Sequence, residues 1–183
     1  MPDEDADRPT LTPTSYLVLG LVGHLGSATS YDLKQAVAGT IGGFWSVPHS
    51  QLYAEPARLA RAGLLSEERE EGGRRRRNYA LTGRGRATLA RWLDTPTGEG
   101  TELRDPALLK LYFGRQAGRG SVTKVATRAA ATHRRLLSSF EALIADPPNR
   151  TDLHQLSILA LAARYETEAI AFWEAVAVDP DLT

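Results

Sequence analysis

Two short extended runs, Leu64 to Glu70 and Arg75 to Leu81, flank the pair Gly72-Gly73. A Gly-Gly pair between two such runs reads as a β-hairpin. The hairpin sits behind three short helical segments and in front of a fourth, and few folds accommodate that order. In the second run Tyr79 and Leu81 share a face by period two, and Arg75 and Arg77 continue that face outward. Three helices followed by a two-stranded wing is the winged variant of the helix-turn-helix unit.

The helices are legible from spacing and punctuation. Leu17, Val18, Leu21, Val22 and Leu25 recur at three- and four-residue steps, which predicts a buried helix over Thr12 to Leu25 with Gly26 as its C-cap. Thr29 or Ser30 caps the next, Tyr31 to Ala38, and Gly39, Gly42 and Gly43 end it. Ser46 or Ser50 is expected to cap the third helix, with Pro48 in its first turn. That helix runs to about Ala62 and is closed by Gly63; Pro56 lies inside it and is expected to kink it. Thr82 caps a fourth helix striped by Leu89, Trp92 and Leu93.

The organisation expected is an acidic tail over 1–10, a winged helix-turn-helix domain over 11–94, a linker over 95–104 and a helical dimerisation and effector domain over 105–183. The stretch Asp94 to Thr101 is rich in Pro, Gly and Thr and marks the boundary. Beyond it come Asp105 to Phe113, with Leu108, Leu109 and Tyr112 apolar, and two long amphipathic segments, Ser121 to Ala145 and Thr151 to Val178. Their stripes are Val125, Ala129, Thr132, Leu136, Phe140 and Leu143 on the first, and Leu153, Leu156, Ala160, Ala163, Ile170 and Trp173 on the second. A two-helix hairpin makes a thin core, so Leu136, Phe140, Leu153, Leu156, Ala163 and Ile170 are expected to meet a second copy of the chain. The fold class is mainly α with a small β-hairpin.

Charge and composition narrow the function. Basic and acidic residues balance at 22 each, which argues against a globally basic nucleic-acid coat. The balance hides an asymmetry. Residues 11–94 hold eleven basic against seven acidic groups, while four acidic side chains sit in the first ten residues. That pattern suggests a polyanion-binding half. There is no cysteine, so thiol catalysis, disulfides and Cys-ligated zinc are excluded. His24, His49, His133 and His154 show no metal-ligand spacing. Gly83-Arg84-Gly85-Arg86 lacks dinucleotide-binding spacing, and no nucleophile elbow or phosphate loop occurs. No catalytic residue, metal or cofactor is expected. With no apolar run long enough to span a bilayer and no signal peptide, the expected location is the cytoplasm.

The binding candidates form two groups. Arg74, Arg75, Arg76 and Arg77 at a hairpin tip can enter a minor groove or pair with phosphates. A solvated loop would carry the same residues, but beside a three-helix unit the wing reading is favoured. His49, Ser50, Gln51, Tyr53 and Arg58 lie along the third helix, where polar side chains reach base edges and phosphates. An ordinary exposed helix face is the competing reading. Trp92, Phe113 and Trp173 are candidate walls of an effector pocket, with core or dimer packing the commoner use of such aromatics.

These residues, in this order, resemble the PadR family of bacterial transcriptional regulators. The matching pieces are Leu17-Val18-Leu19-Gly20-Leu21, Ser30-Tyr31-Asp32-Leu33, Phe44-Trp45-Ser46, Ser50-Gln51-Leu52-Tyr53, Arg58-Leu59, Gly63-Leu64-Leu65 and Arg75 through Gly85. Arg104 to Leu111 is similar to the start of the longer C-terminal domain of one branch of that family. The family often has proline directly after the helix-three tyrosine; here Ala54 follows Tyr53 and the proline is Pro56. The resemblance implies a homodimer held by the C-terminal helices, with third helices in successive major grooves of a palindromic operator. Tyr31 joins the DNA-facing set on this basis. It further implies a repressor released by a small, often aromatic, effector. An effector-independent regulator and a winged-helix adaptor that binds protein are the alternatives, and a hidden enzyme comes last.

Overall fold

Thr12 starts the first helix. Its side-chain oxygen accepts from the Ser15 amide at 3.4 Å, and Ser15 Oγ accepts from the Thr12 amide at 2.9 Å. This reciprocal box satisfies two donors that a helix start leaves open. The structure is a computed structural model and describes residues 10–39, 45, 47–69, 76–98, 100, 103–147 and 152–180. Helix α1 spans Pro13–Leu25 and buries Val18, Leu19 and Val22. It ends at Gly26, whose φ of +82° suits glycine. A two-residue strand, β1 (Ser27–Ala28), follows.

Helix α2 (Ser30–Gly39) is capped by Thr29, whose amide and hydroxyl both donate to Asp32 Oδ2, at 2.9 and 2.8 Å. Helix α3 runs His49–Arg61. The expected serine cap does not occur among the described residues. Pro48 precedes the helix with φ −57°, no side chain caps it, and Ser50 lies inside the first turn; Ser46 lies outside the described residues. A proline preset near helical φ replaces the cap. The helix passes through Pro56, which is fully buried beside Leu52 and Leu59.

Strands β2 (Leu65–Arg69) and β3 (Arg77–Leu81) pair antiparallel with Leu65 opposite Leu81 and Arg69 opposite Arg77. The sheet has three strands rather than the expected two, because β1 pairs with the other edge of β3, Ser27 opposite Ala80. A two-residue strand carries no readable alternation, so its pairing is set by tertiary packing alone. Helix α4 (Gly83–Asp94) starts at Thr82, whose Oγ1 accepts from the Gly85 amide at 3.0 Å and donates to the Gly63 carbonyl at 2.8 Å. One threonine thus caps α4 and ties it to the turn between α3 and β2. The core gathers Leu19, Leu33, Leu52, Leu59, Leu64 and Tyr79. Burying each leucine contributes about 1.5–3 kcal/mol. Leu93 is exposed, so the apolar face of α4 is narrower than its sequence stripe.

The Cα positions divide into two compact units, residues 1–98 and 99–183. In the second, Asp105 caps α5 (Pro106–Tyr112) by accepting from the Ala107 amide at 2.6 Å. Leu109 and Tyr112, expected on the apolar face of that helix, are exposed. A short 3-10 turn leads into α6 (Arg119–Ala145). Helix α7 (Leu153–Val178) starts from a box between Asp152 and Gln155. Helices α6 and α7 pack as an antiparallel hairpin, with Ala126, Ala129 and Ala130 against Trp173 and Val176. Among the described residues no helix is long and apolar enough to cross a membrane.

Candidate nucleic-acid interface

The turns of α3 divide by face. Leu52, Pro56 and Leu59 are buried, while His49, Ser50, Gln51 and Tyr53 are exposed. The buried side fixes the helix against α1 and α2 and leaves the polar side chains of its first turns exposed. Thr14 donates to Gln51 Oε1 at 3.1 Å, which holds that amide from one side. Tyr31 on α2 is 59% exposed and its hydroxyl oxygen accepts from Gln35 Nε2 at 3.3 Å. A cleft of about 200 Å3 between α2 and the start of α3 is lined by Lys34, Val37, Trp45 and His49 among others. Sequence spacing did not single out Lys34 or Trp45, which meet only across the α2–α3 turn.

Arg58 has a different setting from the one its place in the sequence suggested. It chelates Glu55 (Nη2 to Oε1, 2.6 Å; Nε to Oε2, 2.9 Å), donates to Ser15 Oγ at 3.0 Å and reaches the Thr10 carbonyl at 3.3 Å. Its fork is engaged in fastening α3 to the start of α1, so Arg58 sets the position of α3 from behind. The Arg58 guanidinium is the main cause of a Glu55 pKa below the ordinary value of 4.5, and burial opposes it. A carboxyl lowered in the folded state adds stability above its unfolded pKa, and that stability is lost as pH falls through the folded value. Acid melts should therefore show the N-terminal unit weakening from about pH 5 downward. Glu55→Gln should flatten that limb; an unchanged limb would assign it to other carboxyls.

On the wing, Arg76 and Arg77 are exposed where β3 begins, and Arg74 and Arg75 lie outside the described residues. Arg69 stands directly across from Arg77, and Glu67 lies between them. A two-residue turn at Gly72-Gly73 would set Arg69 opposite Arg76; the observed register is shifted by one and sets it opposite Arg77, so the sequence did not point to this pair. The Tyr79 hydroxyl beneath has a raised pKa, first through burial and then through the Glu67 charge.

The three aromatics proposed for an effector pocket have different settings within their own units. Trp92 stacks on Tyr16 in the N-terminal unit, centroids 4.6 Å apart and planes 7° off parallel. Trp173 is in the core of the second unit, edge-on to Phe172. Of the three, Phe113 alone lines a cavity, an open one of about 460 Å3 that includes Leu109, Lys110, Val122 and Val125. Large rings fill cores as readily as they line pockets, and packing decided two of these positions.

The residues expected at a dimer interface differ in exposure. Phe140 is buried inside its own hairpin; Leu156, Ala163 and Ile170 are half-buried; Leu136 and Leu153 are exposed. Besides Leu153 and Val178 at its ends, α7 leaves open the large apolar side chains of Ile158, Leu161, Tyr165 and Phe172. Their spacing of three, four and seven residues keeps them on one stripe. Among the described residues no group of three His, Asp or Glu side chains is placed to hold a metal ion.

A helix-turn-helix with a three-stranded wing, followed by a helical unit, places the chain in the class of winged helix-turn-helix proteins. Residues 18–91 match the transcriptional regulator PadR-like family, and residues 103–178 match the virulence activator alpha C-terminal region. The negative transcriptional regulator PadR of Bacillus subtilis is 31% identical over 100 residues. That match spans 54% of this chain and 54% of the relative, about half the length of each. The probable transcriptional regulator Rv1176c of Mycobacterium tuberculosis is 28% identical over 171 residues, covering 82% of this chain and 89% of that protein. Bacillus subtilis PadR in complex with operator DNA superposes with a TM-score of 0.78 at 23% identity, covering 90% of this chain and 96% of that one. Its complex with p-coumaric acid gives 0.72 at 22% identity, covering 95% and 100%. Residues 18–91 are thus similar to the PadR-like domain of transcriptional regulators, and residues 103–178 to the helical C-terminal region that follows it in the virulence-activator form.

Proposed function

We propose that the chain is a dimeric, sequence-specific DNA-binding regulator of the cytoplasm that represses transcription and is released by a small effector. The observation that carries this reading is α3. Its first turns expose His49, Ser50, Gln51 and Tyr53 over a face locked down by Leu52, Pro56 and Leu59. Such a helix enters a major groove, with the wing arginines Arg74 to Arg77 on the flanking backbone. The operator complex of the Bacillus subtilis relative supports a DNA partner, and that relative's name supports repression. Nothing in this function requires a catalytic residue, metal or cofactor.

The effector reading draws on two supports. One is the relative's complex with p-coumaric acid. The other is the cavity beside α5, whose apolar lining and Lys110 suit an aromatic ring bearing a carboxylate. Calorimetry against aromatic acids should return binding that weakens the protein–DNA complex. If none binds, the regulator works without an effector.

Selection from genomic fragments tests the DNA reading. The expected result is a two-fold-related site with half-sites about one helical turn apart. A protein-binding adaptor would enrich no site. On the selected duplex, changing Arg75 and Arg76 together to Ala should lower the log-salt slope of binding by about 1.8. An unchanged slope would remove the wing tip from the contact.

A further inference from the structure

Arg69 and Arg77 face each other directly across β2 and β3, on the face where Tyr79 is buried next along the strand. Like charges in that relation destabilise a strand pair. Glu67, opposite Tyr79, divides its carboxylate between them: Oε1 lies 3.2 Å from Arg69 Nε and Oε2 lies 3.6 Å from Arg77 Nη1. One carboxylate neutralises one of two guanidiniums, so the cluster keeps a net charge of about +1. The carboxylate is recessed, its side chain 20% exposed, while the two arginines stand 66% and 48% exposed above it. Glu68 faces the other side by the alternation of the strand, opposite Asn78.

From this geometry we infer that Arg69 and Arg77 form one seat for a single DNA backbone phosphate, held ready by Glu67. The inference rests on the DNA reading above and adds a contact, Arg69, and a positioning residue, Glu67. Two guanidinium forks that converge on one point match the paired oxygens of a phosphodiester. Glu67 keeps the forks together in the free protein, where their mutual repulsion would otherwise part them. A phosphate then binds above a carboxylate that is already engaged, and the surplus charge supplies the attraction.

The charge count gives the seat an unusual signature. Removing either arginine leaves one cation against Glu67 and no surplus. Arg69→Ala and Arg77→Ala should therefore each lower the log-salt slope by about 0.9, and the double variant should lower it by no more than about 0.9. Two independent phosphate contacts would give about 1.8 in the double variant. Adding Glu67→Gln to Arg69→Ala restores the surplus and should recover most of the lost slope. Arg69→Lys, which keeps the charge, should keep the slope while weakening affinity.

The probe is a mixed-sequence duplex, because a phosphate seat is blind to sequence, and far-ultraviolet melts check that each variant folds. Non-additive loss with rescue by Glu67→Gln is the expected result. Additive loss, absence of rescue, or an Arg69→Ala slope equal to that of the wild type would each overturn the shared seat while leaving DNA binding intact. A wild-type protein that binds no duplex at low salt would overturn the DNA reading and the seat with it.

Discussion

Gly85→Ala is expected to cost the N-terminal unit about 3 kcal/mol or more, at the upper end of what overpacking does. A Cβ at Gly85 would stand 2.0 Å from the Leu64 carbonyl oxygen and 3.0 Å from its carbon. Neither atom can rotate away as a side chain would. The same carbonyl accepts from the Thr82 amide at 3.1 Å and from the Thr82 hydroxyl at 3.1 Å. Relieving the clash means lifting the first turn of α4 off the turn between α3 and β2, which undoes the cap and exposes Leu64. Gly83→Ala is the control, since nothing lies within 4 Å of its Cβ position. It should be neutral or slightly stabilising, as alanine is the better helix former. Denaturant melts that rank the two substitutions equally would contradict this account of the α4 contact.

If the proposed dimer forms through α7, Leu161→Glu with Tyr165→Glu is expected to leave a monomer and to weaken operator binding by about 100-fold or more, the usual loss when a two-site contact becomes one-site. The two side chains are 49% and 67% exposed within the chain, so the protomer should fold normally. They lie on the stripe that runs from Ile158 to Phe172, and a large apolar stripe left open by one chain is suited to a second copy. Glutamates there would place buried like charges across a two-fold interface. Sedimentation should report mass, and a titration on the selected operator should report affinity. A double variant that remains dimeric, with unchanged affinity, would move the interface off this face of α7.

The two largest effects fall in parts of the chain that differed in how well sequence could read them. The winged unit was legible because its signals are local and agree with one another. Thr82 caps, Gly26 and Gly63 terminate with φ of +82° and +70°, and Leu52 and Leu59 mark an inward face. What escaped was non-local: the pairing of β1 with β3, the reach of Arg58 to Ser15 on α1, and the register that sets Arg69 opposite Arg77. None of these contacts has a periodic signature.

The helical unit was harder for a physical reason. Helix α7 carries apolar residues on most of its circumference, so spacing can establish a helix without choosing which face meets α6. Ala160 was expected on the apolar stripe and is exposed, whereas Leu159, absent from that stripe, is buried. Trp173 met the same ambiguity: a large ring on such a helix can wall a pocket or fill a core, and here it fills the core. Ligand residues cannot be told from core residues by apolarity alone. The polar face of α3, by contrast, is mostly exposed, with Gln51 held by Thr14 and Arg58 by Glu55 and Ser15.

The measurement that tests the central claim most directly is an anisotropy titration against the DNA immediately upstream of the protein's own coding region. It should be run at two salt concentrations with nonspecific duplex as competitor. The account predicts tight binding that survives competitor and weakens steeply with salt, as expected where several arginines neutralise phosphates. Binding abolished by competitor, followed by failure of genomic selection to return any site, would contradict it and leave a winged helix that binds protein.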